Sequence, residues 1–306
     1  MNSRKFFTLI VLAVIVVNSA FCRGFSSFAG TRRALVVCIG DYPPQSGWNR
    51  LSSGNDKDII LSMLDRCGFR KDNVICLTDA DATYSGIIGK LADLEKSCEP
   101  GDRIYIHFSC HGQEITDLDG DESLSDPNDR YDEAIVPYDA CIAYNWKGYT
   151  GERHLTDDVL NRIFHRIADR IGKNGCLLVV NDACHSGGIE RDEEPDSLPP
   201  FRGALGAFEL PAEGRSGNPE LREVTWISIN ACKSFQTNWE CTVDGKMYGR
   251  LSYAMSKCFR NGITPDLLAE ALKAEYGVLP MPKGKFQSIQ MVIPDKLKRK
   301  KMFADE

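Results

Sequence analysis

Two apolar runs in this chain end in polar tips, and that pair of tips narrows its architecture more than any other feature. Cys176-Leu177-Leu178-Val179-Val180 leads into Asn181-Asp182-Ala183-Cys184-His185-Ser186-Gly187-Gly188, and Ile104-Tyr105-Ile106-His107-Phe108-Ser109 leads into Cys110-His111-Gly112. Each run reads as a short strand buried on both faces, the pattern of a parallel sheet. In open α/β sheets, reactive groups collect at the carboxyl ends of the strands. A thiol is a useful nucleophile at neutral pH only when a base or a positive field makes it a thiolate. Two parallel strands ending side by side supply that proximity, so the motifs predict Cys184 as a nucleophile and His111 as its base.

The rest of the chain alternates in the same way. Ala34 to Ile39 is a continuous apolar run closed by Gly40, and a helical stripe at Ile59, Leu61, Met63 and Leu64 stops at Gly68. Val74 to Leu77 reads as a strand, and Ile87, Ile88, Leu91 and Leu94 as a second helical stripe. A helix over Leu160, Ile163, Phe164, Ile167 and Ile171 feeds the Cys184 strand. Val224 to Ile229 and Ser288 to Ile293 read as strands, with helices at Leu251 to Phe259 and Pro265 to Tyr276. The expected fold is α/β, a mostly parallel central sheet flanked by helices with right-handed crossovers. Two stretches break the alternation, an acidic one from Thr116 to Asp132 and a Pro-, Gly- and Arg-rich one from Glu190 to Glu223. Both follow a catalytic candidate and are expected as loops at the rim of the site.

Arg4 and Lys5 precede an apolar stretch from Phe6 to Val17, and Asn18-Ser19-Ala20 offers small residues for cleavage. This layout predicts a signal peptide over residues 1–20, a secreted or periplasmic protein, and a single domain over 30–306. Removing Arg4 and Lys5 takes the formal charge from −6 to −8. A negative balance argues against nucleic acid as a partner. No stretch is long and apolar enough for a membrane span. The expected partner is a peptide or protein substrate, and a monomer is expected. Of the 12 cysteines, Cys38 and Cys176 lie in apolar strands and read as buried thiols. Cys67, Cys76, Cys98, Cys141, Cys241 and Cys258 are free to pair in an oxidising compartment.

At the two tips the chain resembles caspase-like cysteine peptidases, among them the metacaspases and their bacterial relatives. Ser109-Cys110-His111-Gly112 and Asp182-Ala183-Cys184-His185-Ser186-Gly187 resemble the paired signatures of that family. Ala34 to Asp41, Ser53-Gly54-Asn55-Asp56 and Trp226 to Cys232 resemble its first strand, first helix entry and post-cysteine strand. The resemblance implies a caspase–haemoglobinase fold and endopeptidase activity, with His111 as base and acid and Cys184 as nucleophile. The N–H groups of Gly112 and Cys184 would then face the oxyanion. Asp56, Ser109 and Asp182 match the family's specificity pocket, which implies cleavage after Arg or Lys. Arg191, Arg202, Arg215 and Arg222 in the long second loop are candidates for self-cleavage. The chemistry requires no cofactor, but some members bind calcium. Asp132, Asp157 and Asp158 match three of its ligands, and Arg191 stands where a fourth is expected between Glu190 and Asp192. Cys110 departs from the glycine that many relatives carry.

Other readings stay open beside this one. A caspase-like scaffold that binds peptide or calcium without turnover would retain the same strands. A clostripain- or gingipain-like arginine peptidase shares the His-Gly and Cys pattern, although Cys-His-Ser-Gly points towards metacaspases. His107 and His111 have the spacing of a zinc pair but lie on a strand and its tip. His185 adjoins Cys184, but neighbouring side chains on extended backbone diverge. Asp117-Leu118-Asp119-Gly120-Asp121 begins like a calcium-binding loop, yet Glu122 stands where that loop needs glycine, so it reads as a hydrated acidic rim.

Overall fold

The computed structural model describes residues 30–122, 129–184, 199–211 and 222–304. The expected signal peptide, His185 and the segment from Glu190 to Asp192 lie outside these residues. Uninterrupted apolar strands build the centre of the fold, because only a sheet covered on both sides buries them fully. Its strands are β1 (Arg32–Cys38), β2 (Val74–Thr78), β3 (Arg103–Ser109), β7 (Cys176–Asp182), β8 (Ile227–Asn230) and β11 (Gln290–Val292), in the order β11-β8-β7-β3-β1-β2. All neighbours run parallel except β11, which pairs antiparallel with β8 at one edge.

Side chains alternate between two cores, as the strand period requires. On one face Leu35, Val37, Ile104, Ile106, Phe108 and Val179 pack against α2 (Tyr84–Ser97) and α3 (Asp157–Ile171). On the other, Val36, Cys38, Tyr105, Leu178 and Val180 meet α1 (Ser53–Arg66), α4 (Arg250–Cys258) and α5 (Pro265–Val278). Helix starts follow their capping residues: Thr83 accepts from Gly86 N–H, and Thr264 accepts from Leu267 N–H ahead of Pro265.

The acidic stretch after His111, expected to be loop throughout, begins and ends as strand. β4 (Gly112–Thr116) pairs antiparallel with β5 (Tyr131–Ile135), which pairs with β6 (Leu155–Thr156). A second hairpin, β9 (Glu240–Val243) and β10 (Lys246–Gly249), precedes α4. Cys67, Cys76, Cys98, Cys141, Cys241 and Cys258 are all free thiols. No helix of the described residues is long and apolar enough to cross a membrane.

His107 is a structural residue. Its Nδ1 lies 3.0 Å from Tyr105 Oη and its Nε2 3.0 Å from Ser252 Oγ, which spends both nitrogens within the core. Burial lowers its pKa to about 4, against the opposing pull of Asp182. The folded chain therefore holds a neutral ring that the unfolded chain protonates near pH ~6.5. This contribution to stability is complete above that pH and is lost as pH falls towards 4. We expect the stability gap between wild type and His107→Asn, measured by denaturant unfolding, to narrow by on the order of 1–2 kcal/mol between pH 7.5 and pH 5. A gap that stays constant would show that the ring titrates in the fold as it does in the unfolded chain.

Candidate active site

β3 and β7 are neighbours in register, with Ser109 opposite Asp182 and Cys110 N–H 3.4 Å from the Asp182 carbonyl. The chain leaves both strands at one edge, which brings the two tips together. A third segment meets them there. The Arg202 carbonyl oxygen accepts from Cys184 N–H at 2.8 Å and from Gly112 N–H at 3.3 Å. These are the two donors expected to face an oxyanion, and they converge on one oxygen atom.

His111 is held in a defined tautomer. Its Nε2 lies 2.8 Å from the Asn49 carbonyl, which can only accept, so Nε2 carries the proton and Nδ1 is the basic nitrogen. Nδ1 is buried and has no hydrogen-bond partner among the described residues. Trp48 stacks on the ring at 4.8 Å and Tyr42 tilts against it at 5.2 Å. The Tyr42 hydroxyl accepts from His111 N–H and donates to the Val136 carbonyl. Burial lowers the His111 pKa to about 4, with Asn49 opposing. At neutral pH the imidazole is therefore uncharged and able to take a proton. The Cys184 thiol is fully buried and lies 3.4 Å from the Gln236 carbonyl. A hydrogen bond with Cys184, together with burial, holds the neighbouring Cys232 thiol well above its ordinary range.

The expected pocket residues also come together, around a buried arginine. Arg202 Nη2 lies 2.5 Å from Asp56 Oδ2 and 2.9 Å from Glu240 Oε1. Nη1 donates to Ser109 Oγ at 2.8 Å and to the Asp182 carbonyl at 3.2 Å, with Asp182 Oδ2 at 3.7 Å. Asp56 comes from the first turn of α1, Ser109 and Asp182 from the ends of β3 and β7, and Glu240 from β9. Asp182 is oriented by Asn238 Nδ2 at 2.8 Å and by the N–H and hydroxyl of Ser252, each at 2.7 Å. Burial pushes Asp56 up to about 6 even with Arg202 opposing it. Burial also works to raise Asp182, but Arg202, Asn238 and Ser252 outweigh it and hold that carboxyl below its usual range. Gly249 closes the pocket: its N–H donates to Asp56 Oδ1 at 3.0 Å, and a Cβ there would fall 2.5 Å from Arg202 Cζ.

Arg202 belongs to a segment that runs through the cleft. Before it, Arg202 N–H donates to the Asn238 carbonyl at 2.9 Å and Glu240 N–H donates to the Pro200 carbonyl at 3.0 Å, an antiparallel pairing of Phe201 with Trp239. After it, Gly203 lies so near Cys184 that a Cβ would sit 3.1 Å from Cys184 Cβ and 3.4 Å from its sulfur. The chain then follows β4, where Phe208 N–H donates to the Glu114 carbonyl at 2.7 Å. The Arg-rich stretch, expected at the rim, thus sends one arginine into the centre of the site.

The acidic residues gather apart from this pocket. Asp132 lies with Asp117 and Asp121, and Asp158 with Asp119 and Asp121, each trio having carboxylate oxygens within 4.8 Å of one another. The loop Asp117 to Asp121 is therefore no mere hydrated rim, since Asp117 is buried and shares a cluster with Asp132. Asp157 is in neither trio; burial, then Glu122 and Asp132, raise it well above its ordinary range. Burial, then the charges of neighbouring carboxylates, lifts Asp132 to about 8 and the partly buried Asp121 to about 6.

Sequence reasoning missed Asn49, Asn238, Glu240, Gly249 and Ser252. Each acts through a backbone group or through a long-range contact, and no local pattern marks it. The only available signal was an acid, Glu240, a short way beyond the β8 strand.

Comparison with known proteins gives the chain's family. A family model described as the metacaspase, peptidase C14 domain matches residues 32–190. Metacaspase-1A of Aspergillus oryzae is 30% identical over 169 residues, which covers 53% of this chain and 36% of that protein. Metacaspase-1 of Scheffersomyces stipitis is 25% identical over 283 residues, covering 78% of this chain and 66% of that protein. The chain thus spans about a third to two thirds of the length of these curated relatives. A crystal structure of a Geobacter sulfurreducens protein shares the fold, with a TM-score of 0.58 and 19% identity over 90% of this chain and 98% of that one. With a family model matching more than half of its length, and a caspase-like sheet to carry the motifs, this chain belongs to the metacaspase family of peptidase C14 domains.

Proposed function

We propose that the chain is a cysteine endopeptidase that cleaves after arginine, and that its first substrate is its own Arg202–Gly203 bond. One observation carries this reading: the Arg202 carbonyl lies between the Gly112 and Cys184 N–H groups while its guanidinium fills a pocket of carboxylates. His111 Nδ1 takes the Cys184 proton, and the thiolate attacks the Arg202 carbonyl carbon. The two N–H groups stabilise the negative oxygen. The imidazolium then protonates the departing Gly203 amine, leaving an acyl-enzyme through Arg202. Water adds to the acyl carbon as His111 takes its proton, and the Arg202 carboxylate leaves as the thiol is restored. In the intact chain the same segment fills the cleft, so the uncut form is self-occluded.

The two terminal nitrogens of Arg202 bind separate partners at once, Nη1 to Ser109 and Nη2 to Asp56 and Glu240. A lysine ammonium is a single point on a simpler stem and cannot reproduce this fork. We expect fluorogenic peptides with P1 Arg to exceed their Lys counterparts in kcat/KM by at least about tenfold, with Asp peptides uncleaved. Intact-mass analysis should find wild type cut after Arg202 and Cys184→Ala uncut. Equal masses for the two proteins, or a preference for Asp, would defeat the reading. Gly249→Ala should lower turnover of Arg peptides by about a hundredfold or more, because its methyl group occupies guanidinium space.

Calcium would be held by Asp117, Asp119, Asp121, Asp132 and Asp158, an all-oxygen set of the kind this ion prefers. It supplies no step at the peptide bond; it offsets charge in the loops that follow His111. Calcium should therefore raise the melting temperature of Cys184→Ala, and Asp121→Asn, which removes the carboxylate shared by both trios, should abolish most of that rise. No rise at millimolar calcium would rule the site out. Export is proposed from Arg4, Lys5 and the apolar stretch Phe6 to Val17, and amino-terminal sequencing of the protein from its native host should find a start close to residue 21.

A further inference from the structure

The segment that fills the cleft also displays the neighbours of the arginine. If it lies there as a substrate does, which rests on the reading just given, then Phe201 occupies the position before the scissile arginine and Gly203 the position after it. Phe201 meets Trp239 edge to face, with ring centroids 5.9 Å apart and planes at 62°. Trp239 is 2% exposed and firmly held. Its backbone N–H donates to Gln287 Oε1 at 3.1 Å, and the Gln287 amide donates to the Ala231 carbonyl and to Asn238 Oδ1. The Lys285 ammonium lies 5.6 Å from the centre of the same indole. Asn238, one residue before, orients Asp182 in the arginine pocket. The aromatic platform and two residues of the cation pocket therefore lie consecutively at the entry to β9, as Asn238, Trp239 and Glu240.

On the other side of the bond there is little room. Any side chain at position 203 would press its Cβ against the Cβ, carbonyl oxygen and sulfur of Cys184, at 3.1, 3.3 and 3.4 Å. A branched Cβ would force the nucleophile to shift.

We infer that the substrates of this peptidase are proteins carrying an aromatic residue, then arginine, then glycine, with Trp239 as the specificity-determining residue for the aromatic side chain. An aromatic pair of this kind adds selectivity beyond the area it buries. It acts independently of the charge recognition at the arginine.

The test uses the full chain after self-processing and internally quenched peptides that all carry P1 Arg. Peptides with Phe at P2 should be cut about five- to tenfold more efficiently, in kcat/KM, than those with Ala, and P1′ Gly should exceed P1′ Val by at least that factor. Trp239→Phe should keep the P2 preference, and Trp239→Ala should reduce it to about twofold or less while Arg remains preferred over Asp at P1. If Trp239→Ala fails to fold, the wild-type P2 and P1′ ratios together with Trp239→Phe still decide the question. Flat P2 and P1′ profiles with P1 Arg selectivity intact would overturn this inference alone. Loss of P1 Arg selectivity in the wild type would overturn the reading on which it rests.

Discussion

One buried cation among buried carboxylates governs the centre of this molecule. Asp56, Asp182 and Glu240 are packed away from water at the carboxyl ends of the sheet, and the Arg202 guanidinium lies among them. Removing one partner of a buried ion pair typically costs about 3–5 kcal/mol, because the other charge is left uncompensated. A pocket built in this way remains unfavourable until a cation enters. That single constraint links two properties: the chain's own arginine fills the pocket, and the sheet edge around it is ordered by the same contacts.

The cleft extends this point recognition along the backbone. On one side the segment pairs antiparallel with the strand leading into β9, and on the other it runs beside β4. Strand addition of this kind draws affinity from main-chain hydrogen bonds that any sequence can make. Selectivity is left to the side chains that face pockets. His111 stays neutral for a separate reason, since it is buried against Trp48 and Tyr42.

Much of this was legible before any coordinates. The continuous apolar runs at Ala34 to Ile39, Ile104 to Ser109 and Cys176 to Val180 announce doubly covered strands, since a half-exposed strand would alternate. His111, Cys184, Ser109 and Asp182 lie at the ends of such strands and Asp56 in the first turn of α1, where local pattern and family resemblance coincide. The hairpin of β4 and β5 was not legible, because its few apolar residues are spread through an acidic stretch whose charge resembles a loop. The choice of Arg202 among the four arginines of its loop was equally hidden. Nothing local separates it from Arg191, Arg215 or Arg222; what places it in the site is the bond from its N–H to the Asn238 carbonyl and its ion pairs with Asp56 and Glu240, all remote in the chain.

The amino-acid sequence by itself determined the alternation of strands and helices, the two reactive tips and the acids beside them. These follow from periodicity and from residue chemistry, which act over a few neighbouring positions. The tertiary structure alone decided that Glu240, Gly249 and Asn238 complete the pocket, that Asn49 sets the tautomer of His111, and that Asp117 and Asp121 join Asp132. Each is a contact between segments remote in the chain. Such contacts depend on strand order and loop path, which local pattern does not encode.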